Sequence, residues 1–220
     1  MKRNIVFPPV ETATVDGLVA IGGDLETDTI ITAYEQGIFP WPVSVDLPLA
    51  WFSPNPRGIL EFKDLHVARS FEKFIKKTHF KVTFNQDFPA VITACARMKR
   101  KDQGTTWITP DLLQGYKKLF LEEKAYSVEV WNEEELVGGM YGVIMGDFCS
   151  GESMFMKEDN ASKLALYSLI QKLKSKGIEW LDTQMVTPVV EQFGGKYIPR
   201  TRFLKMIEKT NWEILKAEIF

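Results

Sequence analysis

From residue 80 onward, the spacing of apolar positions lays out most of the chain. Phe80-Lys81-Val82-Thr83-Phe84 alternates with the period of a strand. Residues 88–101 and 110–122 repeat instead with helical spacing, and Thr109 with Pro110 supplies an N-cap and a first helical position for the second of these. Three strand-like runs follow at 126–131, 136–145 and 148–156. The turn-forming stretches Asn132-Glu133-Glu134-Glu135 and Gly146-Asp147 separate them, which predicts an antiparallel meander. Asn160 then stands where a helix through about residue 174 would be capped, with Ala161, Ala165, Leu169 and Leu166, Ile170, Leu173 on its apolar side. A strand at 179–184 and a shorter helix at 200–209 close the pattern.

The first quarter reads differently. Residues 25–37 have helical character, with Ile30, Ile31, Ala33 and Tyr34 spaced to bury one face and Gly37 able to end it. Pro40, Pro42, Pro48, Pro54 and Pro56 then exclude a regular helix or a central strand. A boundary is expected near 57–60, giving a small N-terminal domain at 1–58 and a larger one at 59–220. The expected class is α+β.

The 220 residues carry 27 basic and 29 acidic side chains for a net charge of −2, so a protein coated in positive charge is excluded but a local basic patch is not. Two distant cysteines, Cys95 and Cys149, and two histidines, His66 and His79, give no metal-ligand spacing, so neither a metal nor another cofactor is expected. The N-terminus lacks the apolar core of a signal peptide. The longest uncharged run, at 136–146, is about half of the ~20 residues a membrane span needs. These readings point to a cytoplasmic protein.

Three groups of residues suggest chemistry. In Ser150-Gly151-Glu152-Ser153-Met154-Phe155 an acid stands among apolar residues just before a helix. An unpaired buried charge is costly, so this placement suits the rim of a pocket for a greasy ligand group with a polar neighbour. It equally suits an internal ion pair with Lys163 or an arginine. Asp182 and Gln184 lie two apart at the end of a strand, which in a regular strand puts both on one face. They read as a reaction-centre pair or as a hydrogen-bonded acid closing the strand. In 66–78, Arg69, Lys73, Lys76 and Lys77 form a cationic stripe on an amphipathic helix, with Phe71, Phe74 and Ile75 on another side. A stripe of that kind is either a solvated face or a phosphate-binding one.

Several blocks, in order, carry a resemblance. They are Gly17-Leu18-Val19-Ala20-Ile21-Gly22-Gly23-Asp24-Leu25, Gly37-Ile38-Phe39-Pro40-Trp41, Trp51-Phe52-Ser53-Pro54-Asn55-Pro56-Arg57, Thr106-Trp107-Ile108-Thr109, Leu136-Val137-Gly138-Gly139-Met140-Tyr141-Gly142 and Gly151-Glu152-Ser153-Met154-Phe155 with Ala161-Ser162-Lys163 downstream. Together they resemble the leucyl/phenylalanyl-tRNA–protein transferases. The resemblance implies an acetyltransferase-like (GNAT-type) C-terminal domain with a mixed, largely antiparallel sheet flanked by helices. It implies transfer of Leu or Phe, and less well Met, from aminoacyl-tRNA to the N-terminal Arg or Lys of acceptor proteins, marking them for degradation, by a chain expected to act as a monomer.

The same resemblance assigns roles. Asp182 and Gln184 match the reaction centre, Glu152 the acid at the aminoacyl end, and Met140, Met154, Leu166 and Leu169 the side-chain pocket. Tyr34, Trp41, Trp107 and Tyr116 match residues that clamp the terminal adenosine. Arg69, Lys73, Lys76 and Lys77 match the cluster on the acceptor stem. An aminoacyl ester is already activated, and orientation alone can contribute roughly 7–11 kcal/mol. An α-amine of pKa ~7.7–8 needs no strong base, so no Ser-His-Asp triad is expected. The chain departs from the family after Asp182, where the usual Cys-Gln and a later His and Ser give way to Thr183-Gln184-Met185-Val186-Thr187-Pro188-Val189-Val190-Glu191-Gln192-Phe193-Gly194-Gly195. That departure leaves two alternatives: a non-catalytic tRNA-binding relative, or an N-acyltransferase with another acceptor. An acetyl-CoA enzyme is disfavoured, because no Gly-x-Gly or Gly-x-Ala occurs to cradle pyrophosphate.

Overall fold

The structure is a computed structural model that describes residues 5–42, 47–98, 108–213 and 216–220. In chain order its elements begin with β1 (Leu18–Ile21), α1 (Thr27–Glu35), β2 (Phe39–Pro40), β3 (Ala50–Phe52) and β4 (Arg57–Glu61). Next are α2 (Arg69–Lys77), β5 (Lys81–Phe84), α3 (Phe88–Arg97), α4 (Pro110–Leu121), β6 (Ala125–Asn132) and β7 (Glu135–Met145). The remainder is β8 (Phe148–Cys149), β9 (Ser153–Met156), α5 (Ala161–Ser175), β10 (Trp180–Gln184), α6 (Pro188–Gln192), β11 (Lys196–Ile198), α7 (Arg200–Ile207) and α8 (Lys216–Ile219).

The meander expected between 126 and 156 is present: β6 and β7 pair antiparallel, and β8 and β9 both return along β7. Strand β5 extends this sheet beyond β6. Along β7 the period of two sends Tyr141, Val143 and Met145 into one core, with Phe88 and Val91 of α3, and Met140 and Ile144 into the other, with Leu166, Leu169 and Ile170 of α5. Both faces are therefore covered by helices, which is why β7 is apolar almost throughout. A second sheet, in the order β10-β4-β11, is antiparallel on both sides of β4, and β1-β3-β2 form a third. The architecture is α+β, with antiparallel sheets flanked by helices. Ile30, Tyr34, Ile38 and Trp51 share their core with Phe88, Tyr116, Tyr141 and Phe203, so apolar packing crosses the boundary expected near residue 58.

Three local expectations change. The run at 148–156 is two strands, interrupted where Gly151 donates its backbone N–H to Asp182 at 2.8 Å instead of to β7. Asn160 precedes α5 in the left-handed region, at φ 67°, and its side chain makes no cap bond. The helix read across 88–101 ends at Arg97; its last three residues lie outside the described ones. Thr109 caps α4 as expected, accepting from the backbone N–H of Leu112. Cys95 and Cys149 are both buried thiols. Among the described residues no helix is long and apolar enough to cross a membrane.

Candidate functional site

The meander sheet and the β4 sheet meet through a parallel bridge between Ser150 and Asp182. Beyond that bridge the chain on one side turns back to β7, because Glu152 donates its backbone N–H to Tyr141 at 3.0 Å. On the other side β10 continues to Gln184. The two strands part, and a cavity of about 100 Å³ lies in the opening. Two glycines permit the approach of the backbones. A Cβ on Gly142 would stand 1.8 Å from the Ser150 carbonyl oxygen, and one on Gly58 would stand 2.6 Å from the Met185 backbone.

The wall of the cavity is apolar: Met140 of β7, Met154 of β9, Leu166 of α5 and Leu181 of β10, with Phe39 and Trp41 closing one side. Met140, Met154 and Leu166, which the resemblance assigns to a side-chain pocket, all line this cavity. Leu169 does not; it is fully buried in the core behind the wall, one helical turn further along α5.

The lip is polar. Glu152 Oε1 accepts from Ser150 Oγ at 2.6 Å and from Gln184 Nε2 at 2.8 Å, and Oε2 accepts from the Tyr116 hydroxyl at 3.1 Å. Part of the residue faces the cavity while its carboxylate is enclosed by protein atoms. Burial pushes its pKa up, and the charge of Asp182 adds to this; the hydrogen bonds from Ser150, Tyr34 and Tyr116 oppose it. Among the described residues, the ion pair with Lys163 or an arginine considered from the sequence does not form: these hydrogen-bond partners of the acid are neutral donors. Cys149, just behind, has its thiol pKa pushed up by burial, which leaves it inert.

Tyr34 and Tyr116 are 1% and 0% exposed, so neither ring presents a face on which a base could stack. The adenosine clamp expected of them is corrected on that ground. Their hydroxyls lie 2.9 Å apart and Tyr116 reaches Glu152, so the two tyrosines buttress the acid. Burial, reinforced by the Glu152 charge, raises both phenol pKa values and keeps them neutral donors. Trp41 does stand at the cavity mouth, half-buried. Trp107 lies outside the described residues.

Asp182 and Gln184 do not share a face. The register between β10 and β4 slips between them, and Gln184 adopts φ 52°, in the left-handed region. Thr183 and Gln184 consequently line the cavity, while Asp182 turns away from it. The Asp182 carboxylate accepts from Arg57 Nε at 2.9 Å and Nη2 at 2.6 Å, and from the Gln184 backbone N–H at 3.0 Å. Arg57 is itself held between the rings of Phe39 and Phe203, at 4.8 and 4.3 Å, and donates to the Gly37 carbonyl at 3.0 Å. One buried ion pair thus ties the Gly37–Phe39 side of the cavity to the strand that carries Gln184. Sequence reasoning missed Arg57; the available signal was a cation opening the apolar run Gly58-Ile59-Leu60. It missed Ser150 and Thr183 as well.

The segment that departs from the family forms α6, capped by Thr187, whose hydroxyl accepts from the Val190 N–H at 3.3 Å. Thr187 and Val190 also line the cavity. Phe193 packs edge-on against Phe71 of α2 at 5.7 Å, so α2 is docked beside the altered segment. Arg69, Lys73, Lys76 and Lys77 stay exposed on the outer face of α2.

The sequence model described as "Leucyl/phenylalanyl-tRNA protein transferase" matches residues 59–208, and that of the N-terminal domain of the same family matches 23–55. A protein of Pseudoalteromonas atlantica named leucyl/phenylalanyl-tRNA–protein transferase is 44% identical over 95% of this chain and 89% of its own length. One from Flavobacterium psychrophilum with the same name is 44% identical over 95% of this chain and 99% of its own length. Another from Pseudomonas fluorescens reaches 46% over 92% of this chain and 89% of its own. Among solved structures, a GCN5-related N-acetyltransferase from Kribbella flavida aligns with a TM-score of 0.40 at 14% identity, over 76% of this chain and 58% of that one. An overlap that loose carries no argument.

Proposed function

The chain belongs to the leucyl/phenylalanyl-tRNA–protein transferase family and moves an aminoacyl group from tRNA to protein, and from that premise we propose how its residues divide the work. The donor is Leu or Phe, with Met accepted less well, and the acceptor is the α-amine of a protein beginning with Arg or Lys, which the transfer marks for degradation. The chain acts as a cytoplasmic monomer of two units, 1–58 and 59–220.

One observation carries this reading: an apolar cavity of about 100 Å³ with Glu152 and Gln184 joined across its lip. The cavity is smaller than the ~150 Å³ space that admits benzene, so leucine enters as it stands and phenylalanine requires the walls to yield. Met140 and Met154 can yield, because methionine has three rotatable bonds and a polarisable sulfur. With the side chain seated, the donor's ammonium group falls towards the Glu152 carboxylate and its carbonyl towards Thr183 and Gln184. Trp41 stacks on the terminal adenosine, a contact worth ~1–3 kcal/mol that needs no base code. The exposed cations of α2 hold stem phosphates without reading sequence.

In the reaction the acceptor nitrogen attacks the ester carbonyl and the ribose oxygen leaves. Gln184 orients the groups at the lip. Asp182, committed to Arg57, is a positioning residue that fixes the Gln184 backbone. The test is incubation of the protein with Leu-charged tRNA and a peptide starting with Arg. A mass gain of one leucyl residue is expected; tRNA binding without any gain would overturn the catalytic reading.

A further inference from the structure

The hydroxyl of Thr183 is buried and has no hydrogen-bond partner among the described residues, and the residue lines the cavity. A buried hydroxyl without a partner is uncommon and unfavourable, so one that persists needs a reason. The backbone supplies the setting. In an unbroken strand, residue 183 would point opposite to residues 182 and 184. The slipped register and the left-handed Gln184 bring Thr183 and Gln184 to the same cavity. Gln184 already spends one N–H on Glu152 at 2.8 Å, whereas the Thr183 O–H is uncommitted.

The donor's own geometry indicates the ligand for that O–H. With the aminoacyl side chain between Met140, Met154 and Leu166, its α-carbon lies at the polar lip, and the Glu152 carboxyl group is the natural neighbour of its ammonium group. The remaining polar atom is the ester carbonyl oxygen, an acceptor that needs a donor. We propose that Thr183 Oγ1–H donates to this oxygen and stabilises the charge that develops there. The step balances as follows. The amine lone pair forms the new N–C bond, and the carbonyl π pair moves onto the oxygen facing Thr183. On collapse that pair re-forms the C=O, the C–O bond to ribose breaks, and the leaving oxygen takes up the proton shed by the nitrogen. Thr183 keeps its proton throughout. The assignment rests on the aminoacyl-transfer reading and adds a catalytic residue to it.

The test compares the full chain with Thr183→Val, Thr183→Ser and Thr183→Cys, measuring kcat, KM for Leu-charged tRNA and melting temperature. Thr183→Val preserves shape and removes the donor, so kcat should fall at least tenfold, towards the ~100–1,000-fold that loss of one such donor costs elsewhere. Its KM should stay within about twofold, because the bond to a neutral carbonyl adds little to binding and strengthens only as charge develops on the oxygen. Its melting temperature should hold or rise, since an unpartnered hydroxyl has been replaced by methyl. Serine should restore kcat, and cysteine, a weak donor, should fall between. Wild-type kcat in Thr183→Val, a rise in KM alone, or equal losses in the Val and Ser variants with lowered melting temperatures would overturn the assignment. Failure of the underlying reading would look different: the unsubstituted chain would transfer no leucine.

Discussion

Replacing Asp182 with Asn tests how the site is held together. The carboxylate is 0% exposed and its partner Arg57 1% exposed, so both charges have left water and depend on one another. Asparagine keeps one oxygen but turns an NH2 towards a guanidinium that only donates, which removes one of the bonds at 2.9 and 2.6 Å together with the neutralising charge. Breaking a buried pair from one side costs roughly 3–5 kcal/mol, because an uncompensated charge stays behind. That is a large part of the ~5–15 kcal/mol by which a domain is stable. At ~2–4 °C per kcal/mol for a chain of this size, the melting temperature should drop by roughly 6–20 °C. The transfer rate should fall further than tRNA affinity, since the Gln184 backbone N–H, held by the carboxylate at 3.0 Å, is left with a neutral and weaker acceptor while α2 lies elsewhere. A double variant, Arg57→Met with Asp182→Leu, separates the two effects. It should regain most of the stability, as apolar replacements of buried pairs generally do, without regaining the rate. Urea unfolding and single-turnover transfer measure both. A stability loss below about 1 kcal/mol in Asp182→Asn, or full activity in the double variant, would refute the positioning role.

Glu152, its pKa raised by burial, should give transfer an acid limb above the ~4.3 of an ordinary glutamate, and Glu152→Gln should remove that limb; a pH–rate profile checks both. Glu61 behaves oppositely. Burial pushes its pKa up, but hydrogen bonds from Lys196 and Lys63 and the charges of Lys196 and Arg202 hold it down to about 2. Its folded value lies below its unfolded one, so its contribution to stability is present above the unfolded pKa and is lost as pH falls towards 2. Thermal melts of Glu61→Gln should therefore show a flatter decline with acid than the parent. Removing Lys76 and Lys77 should weaken tRNA binding and flatten its plot of log affinity against log salt by up to about 0.9 per lost phosphate contact; an unaltered slope would count against α2 as the tRNA face. Gly142→Ala should destabilise by at least ~1–3 kcal/mol in denaturant unfolding, because its Cβ would fall 1.8 Å from the Ser150 carbonyl oxygen.

What was legible in the chain follows from the range of each interaction. Helices α4 and α5 and strands β6 and β7 were readable because periodicity and turn chemistry are local. Helix α6 was equally readable: Thr187-Pro188 repeats the signal of Thr109-Pro110. Strand β4 was hidden by the prolines before it, and the role of Arg57 by distance, since its partner lies 125 residues along the chain. Residue identities in the candidate site were legible where orientations were not. Met140, Met154, Leu166, Glu152 and Trp41, singled out in the sequence, line one cavity. Tyr34 and Tyr116 turned out to offer hydroxyls rather than ring faces, because both are sealed in the core. Asp182 and Gln184 were put on one face by a rule of alternation that a single slipped residue breaks. Register slips arise from the partner strand, and no pattern within residues 180–184 announces one.

As the proposed seat of the donor side chain, the cavity between β9 and β10 would also bound how accurate this protein can be. An apolar pocket separates side chains by ~1–3 kcal/mol per methylene, so at equal concentrations roughly one transfer in 10 to one in 200 would carry a near neighbour of the preferred residue. Walls that include Met140 and Met154 put the discrimination towards the permissive end of that range. Mistakes would then track the ratio of charged tRNAs in the surrounding pool. Starvation for one amino acid would change what is attached without any change in the protein.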